Sequence, residues 1–564
     1  MRVAPNRQLE LVSKPAHLIF DEDGDSSHGE VFTRSWVVEM ILDLVDYRAE
    51  IDLGERRIVE PSCGSGSFLV PIVERLSASC RRFGRDIAET QQAIRACDIQ
   101  LRNVVAAQRK VIDYLVNDGV AAGIATQLAE TWILHDDFLL GSHDQLSADY
   151  VVGNPPYVRL EDVDQHRRNA YVQACPTMGG RADLYVGFFE IGLSLLSDSG
   201  VLGFICADRW MRNSYGRKLR EFVSSNFALE TVVSMHEADA FESLVSAYPA
   251  VTVLRRAKQG SVVLAEANAA FDEVQALDLT QWHLNKKSRS RKTAAFSAGR
   301  VSRWFEGGAS WPDGGPAELR LLADLENQLR PIQEEGIIAG IGVATGADGV
   351  FVTTDESIVE PERLLPMSMV QDVKSGEFVW SGHFLVDPWE QEGSLVDLSR
   401  YPRLEEYFAS HLQQIRNRGV ARKQPHNWYR TIDRVHHALI PKPKLLLPDM
   451  KMNMEPVLES GGFYPHHNLY YLVSDTWDIG VLGGVMISKF AEFFVRRYSV
   501  RMRGGTLRFQ AQYLNRIRVP NRHSLSKSIQ RDLARCFDER DRGSATELLA
   551  EVVGLSPSQR KLLL

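Results

Sequence analysis

Residues 57–68, Arg57-Ile58-Val59-Glu60-Pro61-Ser62-Cys63-Gly64-Ser65-Gly66-Ser67-Phe68, decide the fold class of this chain. A short apolar run enters a turn with two glycines, and apolar residues then recur at helical spacing up to Leu76. Glycine lets a ligand approach the backbone closely, and the start of the following helix offers free N–H groups. The stretch therefore predicts a strand, a ligand-binding turn and a helix, as in a parallel sheet.

The residues around this turn narrow the class of ligand. A phosphate-binding loop would need Gly-Lys-Ser/Thr, which is absent from the sequence, and the dinucleotide pattern of three glycines fails because position 69 is Leu. The acidic Glu60 before the turn favours a cationic ligand such as S-adenosylmethionine, which carries an ammonium and a sulfonium group. A tight strand–helix connection without a ligand is the alternative interpretation.

The patterns on either side of the turn divide the chain into three parts. Residues 1–255 alternate strand-like and helical runs, which predicts an α/β domain with a mixed, mostly parallel sheet. Residues 256–318 contain a basic run that includes Lys286 and Lys287, followed by paired glycines, and this composition predicts a linker or extended connection. Residues 319–564 are richer in aromatic residues and predict a second domain.

The most specific motif is Asn154-Pro155-Pro156-Tyr157, which follows a strand-like run that ends at Gly153. The two prolines fix the backbone and remove two N–H donors. The Asn154 side-chain oxygen and the Pro155 carbonyl can then accept both hydrogens of an exocyclic NH2 group, which turns the nitrogen lone pair toward an electrophile. Tyr157 offers a ring that can stack on a planar base. A proline-rich turn that merely caps a strand is the alternative.

With these motifs in this order, the chain resembles the Rossmann-like N6-adenine DNA methyltransferases of restriction–modification systems, in the arrangement called gamma. In that family a cofactor motif comes first, and here it matches Gly29-Glu30-Val31-Phe32-Thr33, with Arg34 in place of the family's usual proline. The glycine turn, the Asn-Pro-Pro-Tyr loop and a DNA target-recognition domain follow. The resemblance implies an α+β recognition domain, S-adenosylmethionine as cofactor and double-stranded DNA as substrate.

The resemblance also assigns roles to individual residues. Thr33 is implied to contact the methionine part of the cofactor, Glu60 the region of its ammonium or carboxylate, and Asp98 the ribose hydroxyls. Asp137 is implied to accept the adenine amino group, with Phe138 against the ring. A second aromatic ring that clamps the flipped adenine is expected before a late strand, with Phe241 as first candidate and Tyr248 as second. The full set of implied cofactor contacts is Thr33, Glu60, Pro61, Ser62, Cys63, Gly64, Gly66, Phe68, Asp98, Asp137 and Phe138.

The distribution of charge supports a nucleic-acid partner although the net charge is −8. The segment from Arg400 to Lys444 contains ten Lys/Arg and three Asp/Glu, and residues 493–520 contain seven Arg and no acidic residue. Local patches matter more than the total because attraction to phosphate is screened beyond about 10 Å. A solvated surface with incidental charge is the alternative. The candidate DNA contacts are Lys286, Lys287, Arg422, Lys423, Arg501, Arg503 and Arg508.

Composition excludes several classes of protein. The six cysteines include no C-x-x-C pair, which argues against a zinc site or a disulfide framework and predicts a reducing, cytoplasmic location. We find no signal peptide and no run of about 18 apolar residues, and therefore expect no membrane partner. We expect a monomer without a metal ion.

The predicted reaction is methyl transfer to N6 of a flipped-out adenine in duplex DNA, for restriction–modification or phage defence, with any endonuclease encoded separately. Two enzyme alternatives, an RNA amine methyltransferase and a protein glutamine methyltransferase, share the Asn-Pro-Pro-Tyr chemistry. The glutamine enzymes are about half this length and lack a basic C-terminal domain. A cytosine-C5 enzyme needs Pro-Cys, whereas Cys175-Pro176 has the reverse order. A non-catalytic DNA-binding specificity module is the alternative of another class.

Overall fold

A computed structural model describes residues 31–143, 146–243, 248–499 and 506–563. The N-terminal half is built on one ten-stranded sheet. Its strands are β1 (Ile58–Glu60), β2 (Ile94–Asp98), β3 (Ile133–His135), β4 (Ala148–Gly153), β5 (Leu196–Ala207), β6 (Ala228–Ser234), β7 (Pro249–Arg255), β8 (Val262–Ala267), β9 (Ser290–Lys292) and β10 (Phe296–Val301). Their spatial order is β3-β2-β1-β4-β5-β7-β6-β8-β10-β9, and β7 and β10 run opposite to the rest. The mixed, mostly parallel sheet predicted from the sequence is confirmed.

Helices cover both faces of this sheet. They are α1 (Ser35–Leu44), α2 (Leu69–Phe83), α3 (Leu101–Asn117), α4 (Ala122–Trp132), α5 (Gln165–Ala174), α6 (Tyr185–Ser194), α7 (Arg217–Asn226) and α8 (Glu273–Leu284). Successive side chains of a strand point to opposite faces. Thus Tyr150 and Val152 of β4 join the core formed with α1 to α4 and α8, whereas Val151 joins the core formed with α6 and α7.

The order of the strands brings the two sequence motifs together. The central strand β1 pairs in parallel with β2 on one side and with β4 on the other. Glu60, Asp98 and Gly153 are the last residues of these three strands, so the chain segments that follow them meet at one edge of the sheet. Ligands of open α/β sheets bind at the carboxyl ends of the strands, which places the glycine turn and the Asn-Pro-Pro-Tyr loop at the expected edge.

The linker predicted for residues 256–318 is wrong for most of its length. Residues 262–301 form β8, α8, β9 and β10 and continue the central sheet. The basic run misled the prediction because Ser290–Lys292 is an edge strand with every side chain exposed. Charged side chains are typical of edge strands, since they discourage pairing with another chain.

The remaining elements form the C-terminal half. Its helices are α9 (Pro316–Gln328), α10 (Asp348–Phe351), α11 (Pro402–Ser410), α12 (Leu412–Arg416), α13 (Gly419–Lys423), α14 (Ile479–Ile487), α15 (Lys489–Tyr498), α16 (Ala511–Leu514), α17 (Lys527–Asp538), α18 (Arg542–Val552) and α19 (Pro557–Arg560). Its strands are β11 (Arg330–Pro331), β12 (Ile337–Ile341), β13 (Val352–Thr353), β14 (Leu364–Ser368), β15 (Phe384–Val386), β16 (Lys444–Pro448), β17 (Met450–Lys451), β18 (Val457–Glu459), β19 (Tyr464–Pro465), β20 (Leu469–Ser474), β21 (Leu507–Arg508) and β22 (Arg518–Val519). This mixture agrees with the predicted α+β class.

Two four-stranded sheets organise this half, in the orders β12-β20-β16-β18 and β13-β15-β14-β19. The second sheet encloses its own small core, formed by buried residues between Val343 and Val473. Helices α9, α14, α15, α17 and α18 instead share one continuous core with the α6–α7 face of the large sheet. Within the described ranges, no helix combines the length and the apolar character needed to cross a membrane.

Candidate active site

A cavity of about 790 Å³ lies at the carboxyl ends of β1, β2 and β4. Cavities of this size hold small molecules and cofactors. Most residues predicted for catalysis or cofactor binding line it, and these are Thr33, Glu60, Pro61, Ser62, Cys63, Gly64, Phe68, Asp98, Asp137, Phe138, Asn154, Pro155, Pro156 and Tyr157. The motifs read from the sequence therefore converge on one site.

The glycine turn is fixed by the carboxylate that ends β2. Gly64 has a φ of +50°, a conformation that favours glycine, and its N–H donates to Asp98 Oδ2 at 2.9 Å. Asp98 Oδ1 accepts from the Gln100 N–H at 2.9 Å and from Asn103 Nδ2 at 3.2 Å. This network holds Asp98 at the cavity wall, next to the turn.

Gly66 was also predicted to contact the cofactor, but its position differs from that of the other predicted residues. Gly66 is not part of the cavity wall. It has a φ of +93°, and a Cβ at this position would lie 3.5 Å from Ala107 Cα in α3. Gly66 is thus needed for the positive φ of the turn, a role that a Gly-x-Gly sequence cannot distinguish from ligand binding.

Glu60 is a buried carboxylate whose surroundings favour binding of a cation. Its side chain lines the cavity, yet the residue is only 2% exposed, and Oε2 has no hydrogen-bond partner among the described residues. Burial raises the pKa of the Glu60 carboxyl well above its ordinary value, and the negative charge of Asp98 raises it further. A buried, unpaired carboxylate is costly, and a cationic group in the cavity would relieve that cost.

The Asn154 side chain is held so that its oxygen is the unpaired end. Its Nδ2 donates to the Val31 carbonyl at 2.8 Å and to Thr33 Oγ1 at 3.1 Å. The Val31 carbonyl can only accept, so it fixes which end of the amide faces it. Asn154 Oδ1 is buried with no hydrogen-bond partner in the described part of the chain. The site therefore contains a fixed acceptor that lacks a donor.

Thr33 and Ser62 connect the three motifs around this amide. The Thr33 hydroxyl, predicted to meet the methionine part of a cofactor, orients Asn154 and also lies at the cavity wall. The Ser62 hydroxyl donates to the Asn154 carbonyl at 3.2 Å and so ties the glycine turn to the Asn-Pro-Pro-Tyr loop. A shift in either motif would therefore move Asn154.

Asp137 and Phe138 contact residues that were not predicted from the sequence. Tyr171 in α5 donates its hydroxyl to Asp137 Oδ2 at 2.7 Å, and burial raises the pKa of the Asp137 carboxyl. Phe138 stacks on Phe188 of α6 with ring centroids 5.4 Å apart. Tyr171, Phe188 and Arg167 all line the cavity. No sequence signal pointed to Tyr171 or Arg167, because their helix α5 is polar and lacks a regular apolar stripe.

Comparison with known proteins identifies the family. Residues 83–241 match the model described as Eco57I restriction-modification methylase. The chain is 40% identical to type II methyltransferase M.PaeR7I of Pseudomonas aeruginosa, with 96% of this chain and 94% of that protein aligned. It is also 40% identical to type II methyltransferase M.XhoI of Xanthomonas vasicola, over 95% of this chain and 98% of that protein.

The chain belongs to the type II methyltransferases of restriction–modification systems. This confirms the resemblance seen in the sequence, and the function is that of a DNA methyltransferase in restriction–modification rather than an RNA or protein methyltransferase. The fold is also similar to that of the type IIL restriction-modification enzyme MmeI, solved in complex with DNA. The TM-score is 0.56 at 12% identity, over 94% of this chain and 75% of that one.

Arg34 explains why this methyltransferase tolerates the loss of the family's proline. The Arg34 N–H donates to the Ala240 carbonyl at 3.1 Å, a bond that proline cannot make. Its guanidinium also pairs with Asp239 at 2.6 Å. Residues 32–34 are therefore attached to residues 239–242 by hydrogen bonds and an ion pair.

Neither ring proposed as the base clamp of this methyltransferase lines the cavity. Phe241 is 5% exposed, pairs through its backbone with Thr33, and meets the Tyr157 ring edge-on at 6.1 Å. Tyr248 packs on His236 at 5.0 Å. Phe241 thus supports Tyr157 from the side. The resemblance named it as a candidate base clamp but could not give the orientation of its ring.

The candidate DNA contacts divide into three groups. Lys286, Lys287, Arg422 and Lys423 are exposed, and Arg501 and Arg503 lie outside the described residues. Arg508 differs, because its guanidinium forms an ion pair with Asp449. Arg418 and Lys444 are buried and so do not belong to the basic surface that the sequence predicted for residues 400–444. Six exposed cations remain in that segment, namely Arg400, Arg403, Arg416, Arg422, Lys423 and Arg434.

Tyr157 should act through its ring and not through its hydroxyl. The hydroxyl is buried without a partner among the described residues, and burial raises its pKa well above the ordinary value. We expect Tyr157→Phe to keep kcat/KM within about threefold of wild type, and Tyr157→Ala to lower it about 5- to 150-fold through lost base stacking. Steady-state methylation of DNA by both variants checks this, and an equally inactive Phe variant would show that the hydroxyl is required.

Proposed function

We propose that this protein transfers a methyl group from S-adenosylmethionine to N6 of a flipped-out adenine in double-stranded DNA. It would act as a monomer and as the modification part of a restriction–modification system, with any endonuclease encoded separately. The observation that carries the proposal is the fixed, unpaired Asn154 Oδ1 in the wall of the cavity. An acceptor without a donor suits a substrate that brings an NH2 group.

The residues of the cavity fit the cofactor. The partnerless Glu60 Oε2 would receive the ammonium group, while Asp98 would meet the ribose and Asp137 with Phe138 the adenine ring. Bound S-adenosylmethionine would supply an electrophilic methyl group on a positively charged sulfur. Two buried carboxylates, Glu60 and Asp98, at the wall of one cavity favour a ligand that carries positive charge.

The catalytic loop would prepare the adenine amine as a nucleophile. Asn154 Oδ1 and the Pro155 carbonyl would accept its two N–H bonds and leave the nitrogen lone pair free to attack the methyl carbon. The new N–C bond would replace the S–C bond, S-adenosylhomocysteine would leave, and the amine would release one proton to solvent. The two prolines keep these acceptors in place, so little reorganisation is needed in the transition state. The Tyr157 ring would stack on the base and repay part of the cost of flipping it out of the duplex.

Transfer of a labelled methyl group tests the proposal in solution. The enzyme is incubated with methyl-labelled S-adenosylmethionine and duplex DNA of mixed sequence, and the DNA is digested to nucleosides. We expect the label in N6-methyladenine. Label in a methylated cytosine would contradict the choice of base, and label in RNA or in the protein itself would contradict the choice of substrate.

The exposed cations of α13 should contribute to DNA affinity through phosphate contacts. Arg422 and Lys423 are exposed at the end of that helix. Each phosphate contact contributes about 0.9 to the slope of log K against log salt, so the double alanine variant should lower that slope by about two. Arg531→Ala is the matched control, since Arg531 is exposed on α17. Equal slopes for the double variant and wild type would show that Arg422 and Lys423 do not contact DNA phosphates.

A further inference from the structure

Three metal-ligating side chains meet in the C-terminal half, away from the catalytic cavity. Asp348 is the first residue of α10, and His466 and His467 directly follow β19. One ligand atom from each residue lies within 4.8 Å of the other two. Among the described residues, no other group of three or more His, Cys, Asp or Glu side chains meets this condition. None of the three belongs to the wall of the cavity.

We propose that Asp348, His466 and His467 bind one divalent transition-metal ion, with zinc as the preferred metal. Two imidazoles and one carboxylate are a nitrogen and oxygen ligand set that zinc accepts, and three protein ligands leave a fourth position for water. Magnesium and calcium prefer oxygen ligands alone, so this set disfavours them. The proposal does not depend on the catalytic function proposed above.

The distances at the cluster are close to those of a coordination sphere. Asp348 Oδ2 and His466 Nε2 are 3.0 Å apart, and the ring centroids of His466 and His467 are 4.1 Å apart. Two ligands about 2.0 to 2.1 Å from a tetrahedral zinc ion lie about 3.3 Å from each other. The third ligand atom, on the partly exposed His467, lies within 4.8 Å of the other two.

Unpaired nitrogens at the cluster point to a ligand. His466 is 3% exposed, and the Nδ1 atoms of His466 and His467 are both buried without a hydrogen-bond partner among the described residues. Either nitrogen of an imidazole can bind a metal. His466 would bind the ion through Nε2, the nitrogen that faces Asp348, and the unpaired Nδ1 of His467 is available as the third ligand atom. An ion would relieve the cost of burying this unpaired His467 nitrogen.

The surrounding contacts hold the carboxylate in position. Thr345 Oγ1 donates to Asp348 Oδ1 at 2.5 Å, which leaves Oδ2 toward the histidines. Val343 pairs with His466 through the backbone, and Arg418 donates to the Thr345 carbonyl at 2.6 Å and to the Trp428 carbonyl at 2.9 Å. An ion here would join two segments 118 residues apart. It would thereby stiffen the turn that anchors the segment carrying Arg422 and Lys423.

Metal titration of the full-length, tag-free protein tests the site. After treatment with a chelator, Zn²⁺ is titrated by calorimetry and Co²⁺ by its visible absorption. We expect one equivalent of each to bind, and His467→Ala to weaken zinc binding by about 100-fold or more while the circular dichroism spectrum stays unchanged. His467 is the residue of choice because it is partly exposed, so its replacement should not unfold the domain.

A second histidine–aspartate pair provides the matched control. His437 Nε2 lies 2.6 Å from Asp387 Oδ2, and His437 Nδ1 is likewise unpartnered, but no third ligand from the described residues joins this pair. His437→Ala should therefore bind one zinc ion with wild-type affinity. The proposal is overturned if the wild-type protein binds no stoichiometric metal, or if His467→Ala binds it as tightly as wild type does.

Discussion

Replacing Asn154 with alanine is expected to lower kcat for methyl transfer by about 100- to 1000-fold, the usual effect of removing one preorganised polar contact in a transition state. Asn154 Oδ1 is fixed by two hydrogen bonds on the amide nitrogen and would accept an N–H of the target amine. Because the side chain makes no cofactor contact in the proposal, the affinity for S-adenosylmethionine should stay within about twofold of wild type. Single-turnover methylation and calorimetric titration measure the two quantities.

A remote asparagine controls for the loss of an amide. Asn226 is exposed at the end of α7, where its Nδ2 caps the Phe222 carbonyl at 2.7 Å, and Asn226→Ala should keep full activity. Wild-type turnover in Asn154→Ala would refute the role of the loop. An equal loss of turnover and of cofactor affinity would instead assign Asn154 to cofactor binding.

Replacing Glu60 with glutamine is expected to weaken binding of S-adenosylmethionine by about 30-fold or more. Loss of one partner from a buried charge pair costs about 2 kcal/mol or more, and 1.4 kcal/mol is tenfold in affinity. Glutamine keeps the shape of the side chain, so the effect isolates the charge. Calorimetric titration gives the dissociation constants, and Glu130→Gln, on the exposed face of α4, is the control.

The raised pKa of Glu60 also predicts how the stability and the cofactor affinity of the wild-type protein change with pH. The pKa of Glu60 is raised in the folded state, so in the unfolded chain the carboxyl ionises first, at its ordinary pKa near 4.5. Below pH 4.5 the ionisation of Glu60 does not lower the free energy of unfolding. Above pH 4.5 this free energy falls by about 1.4 kcal/mol per pH unit, up to the folded-state pKa of Glu60. Cofactor affinity should rise over the same range, because the cation needs the ionised carboxylate.

Glu60→Gln should lack both trends. Urea unfolding without cofactor, followed across pH, should show the glutamine variant gaining stability relative to wild type as pH rises. Parallel pH profiles for the two proteins would contradict the assignment of Glu60 as an unpaired, cation-binding carboxylate. The cost in stability and the gain in affinity would then have to come from another group.

The sequence could predict the parts of the site that follow from local chemistry. Glu60, Asp98 and Asn154 each follow or end a strand, and parallel strands bring such residues to one edge. Their order along the chain then suffices to place them in one site. The cavity confirms that they meet, although the roles of the single residues remain predictions until the variants are measured.

The features that the sequence could not predict depend on contacts between residues that lie far apart along the chain. The bonds from Asn154 to Val31 and Thr33 span more than a hundred residues, and nothing local signals them. Tyr171, which supports Asp137, lies on a helix without an apolar stripe. The edge strand β9 was mistaken for part of a linker because it is charged and exposed. The cluster of Asp348 with His466 and His467 exists only after folding.

Sequencing that detects modified bases in DNA from cells that express this protein tests the central claim most directly. The account predicts N6-methyladenine at one recurrent sequence in cells with the wild-type protein, and unmodified adenines at that sequence in cells with Asn154→Ala. Methylated cytosine in place of methylated adenine, or an identical pattern of modification for both proteins, would contradict it.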